Sequence, residues 1–191
     1  MTEQHGSRSE RTGDSIMLEA IAAEIEAFVG QAGWDGPPTL FALVPTRTLA
    51  ADPAAASMLS GTPEPLDAEE ISPAAITPIA QDELPEGALD EALAQIGWPD
   101  EVVGCALSHE IVMLPPSAEE ELGDLDVDAA VRAAGDHPDR REARLVVAVL
   151  RDGSSAGLLR LRGTDDRGED LLTGADIAPN LTAALAATLQ D

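Results

Sequence analysis

The chain has 191 residues, 36 of them acidic and 11 basic, for a formal net charge of -25 at pH 7, and every one of those basic residues is Arg. A charge of that sign repels nucleic acid and anionic membrane surfaces. The absence of Lys removes the Walker A loop, the kinase lysine and a pyridoxal-phosphate Schiff base, while one Cys and three His cannot build a four-thiolate metal site.

Residues 1–13 are polar and predict a disordered tail. The opening stretch MTEQHGSRSERTGD has no apolar segment of the kind a secretory signal needs. From Ser15 onward Met17, Ile21, Ile25, Phe28 and Val29 recur at three- and four-residue spacing, which predicts an amphipathic helix capped by Asp14 or Ser15. The breaker Trp34-Asp35-Gly36-Pro37-Pro38 ends that unit, and Leu40 to Val44 follows as a continuous apolar run, the mark of a buried strand. Thr46 is expected to cap a short helix reaching Met58. Pro63, Pro65, Pro73, Pro78 and Pro85 forbid a long regular element over about 60–86, leaving a loop rich in Pro and acid with Ile76 to Ile79 as an edge strand.

Residues 88–96 predict a helix ending near Gly97, and Val102 to Leu114 a long strand stopped by Pro115-Pro116. A short acidic helix is expected from Ser117 and another over 126–134. Residues 142–151 and 156–162 are apolar runs flanking Asp152-Gly153, a strong hairpin signal. Pro179 at a first helical position and Leu181, Leu185 and Leu189 on one face predict a last helix over 179–189. These elements make a single α+β domain over 14–191, with helices packed on a four- or five-stranded, mostly antiparallel sheet. Residues 27–43 and 91–107 echo each other at an offset of 64, matching at Gln31/Gln95, Gly33/Gly97, Trp34/Trp98, Ala42/Ala106 and Leu43/Leu107. A recurring helix, Gly-Trp turn and strand, with each Trp plugging a helix–sheet seam, explains this more simply than duplication.

Charge is unevenly spread. Residues 48–131 carry 19 acids and no basic residue, whereas residues 132–170 hold eight Arg and eight acids. Within the second stretch Arg160 and Arg162 share one strand face, and a tight hairpin register sets Arg144 across from them. Three arginines so placed form a candidate fork for a carboxylate or phosphate; pairing with the chain's own abundant acids is the simpler alternative.

Other motifs lack their context. Gly153-Ser154-Ser155-Ala156-Gly157 matches a nucleophile elbow, but a strand follows where a helix is required and no His lies beyond His137. Asp124, Asp126 and Asp128 open like a calcium loop, yet Ala129 and Gly135 stand where that loop needs Gly and Glu. Asp165, Asp166, Glu169 and Asp170 have no defined ligand spacing. His109 and Glu110 alternate on a strand and face opposite ways, and His137 has no partner that spacing can name. Cys105 lies in an apolar strand, the setting of a buried, inert thiol.

GWDGPPTLFALV (33–44), GWPDEVVGCAL (97–107), HPDRREARLVVAVLRDG (137–153) and LTGADIAPNLTAALAATL (172–189) together resemble a family of actinobacterial proteins with no assigned activity. The resemblance spans roughly 16–189 and implies a high-GC actinobacterial source and a cytoplasmic protein; it carries over no catalytic residue and no cofactor. SHEIVMLPP departs from that pattern, which has an Arg after the Glu, and weakens the expectation of a strand-face charge pair at Glu110. The residues are read as those of a non-enzymatic accessory or protein-binding module meeting a basic protein partner. The alternatives are a small-anion sensor or enzyme using Arg144, Arg160 and Arg162, and a homodimer through an exposed sheet edge.

Overall fold

A computed structural model describes residues 4–52, 71–82, 84–85, 87–115, 117–118, 126–163 and 170–190. The apolar runs of the sequence become strands of one antiparallel sheet: β1 (Thr39–Pro45), β2 (Ile76–Ala80), β3 (Gly104–Met113), β4 (Arg141–Leu150), β5 (Ser155–Leu161) and β6 (Leu171–Gly174), in the order β2-β1-β3-β4-β5-β6. The helices are α1 (Gln4–Gly30), α2 (Thr46–Ala51), α3 (Leu89–Leu93), α4 (Val127–Asp136) and α5 (Pro179–Thr188). The chain is a single α+β domain, with six strands where four or five were expected. The additional strand is β6, a four-residue edge element held by register with β5 and exposed at Leu171 and Leu172. Its half-exposed side chains leave no apolar pattern to read.

Both faces of the sheet are covered. Leu18, Ile21, Ala22 and Ile25 of α1 pack against Phe41, Leu43, Ala106, Val146, Ala148, Ala156 and Leu158. On the opposite face Leu185 of α5, with Leu189 after it, Leu93 of α3 and Trp98, meets Ala42, Cys105, Leu107, Leu145, Val147, Val149 and Leu159. β4 is buried from Ala143 to Leu150 because successive side chains enter two different cores. Each buried Leu or Val there contributes roughly 1.5–3 kcal/mol, so the centre of the sheet carries most of the apolar stabilisation.

Several boundaries move. α1 starts at Gln4 rather than at Asp14 or Ser15, so the tail expected to be disordered over 1–13 is helical from its fourth residue. The cause is backbone continuity: no Pro interrupts residues 4–14, and a helix nucleated over its packed half extends cheaply into a polar stretch. Phe28, expected in the apolar stripe, is exposed and meets the core residue Phe41 edge-on, at 6.2 Å between ring centroids. Leu18 and Ala22 take the buried positions instead. Pro45, not Thr46, is the N-cap of α2. The Thr46 hydroxyl pairs with that of Thr77 at 2.9 Å, joining β2 to the start of α2. The remainder of the helix expected through Met58, and most of that expected from Ser117, lie outside the described residues.

The Asp152-Gly153 hairpin forms as expected, with Gly153 at φ +89°, the Ser154 amide donating to Asp152 Oδ1 at 2.8 Å and the Leu150 amide to Ser154 O at 2.9 Å. Ser155 therefore opens β5 rather than a helix, contrary to the geometry of a nucleophile elbow. β2, with Pro78 inside it, lies at the other sheet edge, the place where a strand tolerates Pro.

Candidate functional site

The hairpin does bring the three candidate arginines to one side. Arg144 of β4 stands directly opposite Arg160 of β5, and Arg162 follows two residues on, all on the face covered by α1. Two guanidinium groups facing each other across strands repel. Glu26, projecting from the buried side of α1, resolves this. Its Oε1 accepts from Arg144 Nη1 at 3.2 Å and from Arg160 Nε at 2.6 Å, and its Oε2 from Arg160 Nη2 at 2.7 Å.

The turn after α1 completes the cluster. Gly33 at φ +90° and Asp35 at φ +70° fold the chain back over β3, β4 and β5. Trp34 thereby lies under two cations, with the Arg144 guanidinium carbon 4.6 Å and that of Arg162 5.2 Å from the ring centroid. Arg144 Nη2 donates to the Gly33 carbonyl and to Glu110 Oε1, the latter at 3.1 Å. Glu110 Oε2 accepts from the Asp35 amide at 2.7 Å. A charge pair at Glu110 thus forms despite the weakened expectation, because β3 and β4 place Glu110 directly across from Arg144. Arg162 makes a two-pronged pair with Asp35 at 3.1 and 3.3 Å and a further bond to Glu142 at 2.5 Å. Hydrogen bonds donated to Asp35 first, and then to Glu142, hold the Arg162 pKa above its ordinary value.

Arg144 is 2% exposed and Glu26 3%, so this is a buried ionic contact between elements 118 residues apart. Gly30 makes room for it: a Cβ there would lie 3.2 Å from Arg144 Nη1. Four carboxylates, from Glu26, Asp35, Glu110 and Glu142, engage the three arginines. An incoming anion would have to displace them. As it stands, the arrangement ties α1 and its Gly-Trp turn to the sheet. Sequence reasoning missed Glu26 and Trp34 as partners. The available signal was Glu26 itself, an acid one turn from the buried Ala22 on the apolar side of α1.

The second Gly-Trp turn works on the other face. Trp98 Nε1 donates to Thr188 Oγ1 at 3.0 Å, and Thr188 Oγ1 donates to Leu185 O at 2.7 Å. Arg151 donates to the carbonyls of Val102, Trp98 and Pro99 at 2.9, 3.1 and 3.3 Å and to that of Leu189, fastening this turn to the end of α5. The two Trp residues of the sequence echo therefore sit on opposite faces of one sheet.

Cys105 is buried beneath that joint, its Sγ 3.6 Å from Thr188 Oγ1. Burial raises its pKa to about 11, against the lowering effects of the Thr188 hydrogen bond and the Arg151 charge. That leaves on the order of one thiol in a thousand ionised at pH 8. Ellman's reagent is expected to modify the native protein at least about tenfold more slowly than the urea-unfolded chain; equal rates would contradict a buried thiol. Because the folded pKa lies above the unfolded one, the associated stability is intact below pH 9 and falls as pH rises towards 11.

His109 points away from Glu110, as strand alternation requires. Burial lowers its pKa, opposed by the charge of Glu110, and its Nδ1 has no hydrogen-bond partner among the described residues. His137 closes α4, its Nδ1 accepting from the Asp139 amide at 3.1 Å. Asp126 is the N-cap of α4, accepting from the Ala129 amide at 3.0 Å, while Asp124 and the acids 165–169 lie outside the described residues. No group of three or more His, Cys, Asp or Glu among the described residues is placed to hold a metal ion. No described helix is long and apolar enough to cross a membrane.

The chain belongs to the PPA1309-like protein family, whose model matches residues 18–190. That span takes in the packed half of α1, all six strands and α5. The family description names no activity, substrate or cofactor. No curated protein and no solved structure gives a match.

Proposed function

We propose that this chain is a non-enzymatic, cytoplasmic accessory protein of actinobacterial origin that binds a basic protein partner through its acidic surface. The observation that carries this is the difference between the two charge regions. Arg144, Arg160 and Arg162 are each engaged by the chain's own carboxylates. By contrast Asp90 and Glu91 in α3 and Asp100 and Glu101 before β3 stand exposed, with no ion-pair partner among the described residues. They belong to the stretch 48–131 that has no basic residue. The small-anion alternative at Arg144, Arg160 and Arg162 has less support, because four carboxylates already occupy those donors.

A second reading rests on β6. It ends the sheet, contains neither Pro nor a charge, and exposes Leu171 at 49% and Leu172 at 52%. In antiparallel alternation with β5, the backbone groups of Leu171 and Thr173 face outward, suited to pairing with a second copy. One experiment separates the two readings. The full chain is used as bait at about 0.1 M and about 1 M salt, across which the screening length falls from about 10 Å to about 3 Å, and its mass is followed by light scattering. A basic partner is expected to be captured at low salt, released at high salt, and lost in a variant with Asp90, Glu91, Asp100 and Glu101 changed to amides. Self-association, opposed by a net charge of -25 on each copy, would instead strengthen with salt. Capture indifferent to both salt and the amide variant would sink the basic-partner reading.

A further inference from the structure

Eight arginines have described side chains, and seven of them have a bonded partner. Arg141 does not. No hydrogen bond or ion pair to its side chain occurs among the described residues, and its Nη2 is shut off from solvent without an acceptor. In a chain with 36 acids an internal carboxylate partner would be easy to supply. Leaving a shielded guanidinium nitrogen without an acceptor is unfavourable.

Nη2 itself is sealed, but the Arg141 side chain as a whole is only partly buried, and its position shows what it can reach. It opens β4 directly across from Met113, the last residue of β3. Alternation puts it on the side of Ala143 and Leu145, the face opposite the Arg144 cluster. There it lines an open cavity of about 400 Å³ together with Met113, Leu114, Pro115, Leu161 and Asp139. Four of those six residues are apolar. The volume falls within the range of small-molecule sites, and a single charged donor beside an apolar wall is how such sites orient a ligand. Asp139 shares the lining without pairing with Arg141, and its negative charge disfavours a doubly charged ligand such as phosphate.

We propose that this cavity binds a small monocarboxylate with an apolar body, the carboxylate on Arg141 and the body against Met113, Leu114 and Leu161. The site lies on the opposite face of β4 from the anion fork that sequence reasoning placed at Arg144, three residues away, and it does not depend on the basic-partner reading. The chain has four methionines, so methyl-labelled Met gives a sparse NMR spectrum in which a Met113→Leu variant identifies the Met113 signal.

Hexanoate is the probe, with hexanol supplying the same body without charge and inorganic phosphate the charge without the body. Hexanoate is expected to shift the Met113 methyl saturably, at least about tenfold more tightly than hexanol, leaving Met17 unmoved; phosphate is expected to shift neither. Arg141→Gln should weaken hexanoate by about tenfold or more while leaving hexanol unchanged, and Asp139→Asn should tighten hexanoate. The proposal is overturned if hexanoate and hexanol bind alike, if phosphate competes, or if hexanoate does not move Met113. The comparison of probes on the wild-type protein decides the matter even where Arg141→Gln fails to fold.

Discussion

Arg144→Ala is expected to lower the unfolding free energy by about 3–5 kcal/mol, the range for breaking a buried ion pair from one side. The side chain is 2% exposed and joins α1, β3 and the Gly-Trp turn through Glu26, Glu110 and the Gly33 carbonyl. Truncation leaves the Glu110 carboxylate and the Gly33 carbonyl short of a donor and takes the cation off the Trp34 ring. Glu26 keeps both of its bonds to Arg160, which places the expected loss towards the lower end of that range. Against a total stability of about 5–15 kcal/mol, even that end is a large fraction. Arg144→Met retains most of the volume without the charge, so its difference from Ala measures packing separately from pairing. Urea unfolding of the three proteins is the measurement. An Ala variant within about 0.5 kcal/mol of wild type would show that the cluster does not hold α1. Arg162→Ala, at a third-exposed position, should be mild by comparison.

Gly104→Ala is expected to cost about 3 kcal/mol, at the upper end for overpacking, for a different reason. Gly104 lies at the start of β3, paired with Leu43 on one side and Leu150 on the other. A Cβ at this position would come within 2.4 Å of the Val149 carbonyl oxygen, 2.7 Å of Leu150 Cδ2 and 3.1 Å of Leu150 Cα. Two of these are backbone atoms of the central ladder, so relief requires β3 and β4 to separate. A methyl group thus sets hydrogen bonding against sterics where neither can yield cheaply. Gly97→Ala is the control, since nothing lies within 4 Å of its Cβ position, and it should be close to neutral. Thermal and urea unfolding should both report the loss at Gly104, with little dependence on salt. A Gly104→Ala variant as stable as wild type would mean that the β3–β4 approach is looser than described.

Much of the fold was readable because its strongest elements are patterned locally. The runs at β1, β3, β4 and β5 are apolar on both faces or alternate cleanly, and Asp152-Gly153 sets the turn between the last two. Pro78 correctly marked β2 as an edge. β6 was not readable, since Leu171-Leu172-Thr173-Gly174 becomes a strand only by finding the free edge of β5. The reach of α1 beyond its packed half was also hidden, because apolar periodicity reports packing rather than helix continuation.

The sequence by itself determined that Arg160 and Arg162 share a strand face, because side-chain direction in a strand depends only on parity; that Arg144 joins them followed from the hairpin register, which the structure supplies. It also determined where net charge accumulates, which is a matter of counting. Only the tertiary structure decided what those arginines meet. Glu26 is 118 residues from Arg144, and Asp35 is 127 from Arg162. Which acid reaches which cation depends on the register of three strands and on how α1 crosses them, and no local pattern encodes that. The same holds for Arg141, whose neighbours in sequence are charged and paired while its own face of β4 opens on an apolar cavity. Parity separates Arg141 from Arg144 onto opposite faces; α1 and β3 supply the second with Glu26 and Glu110, while the side chain of the first has no carboxylate partner among the described residues.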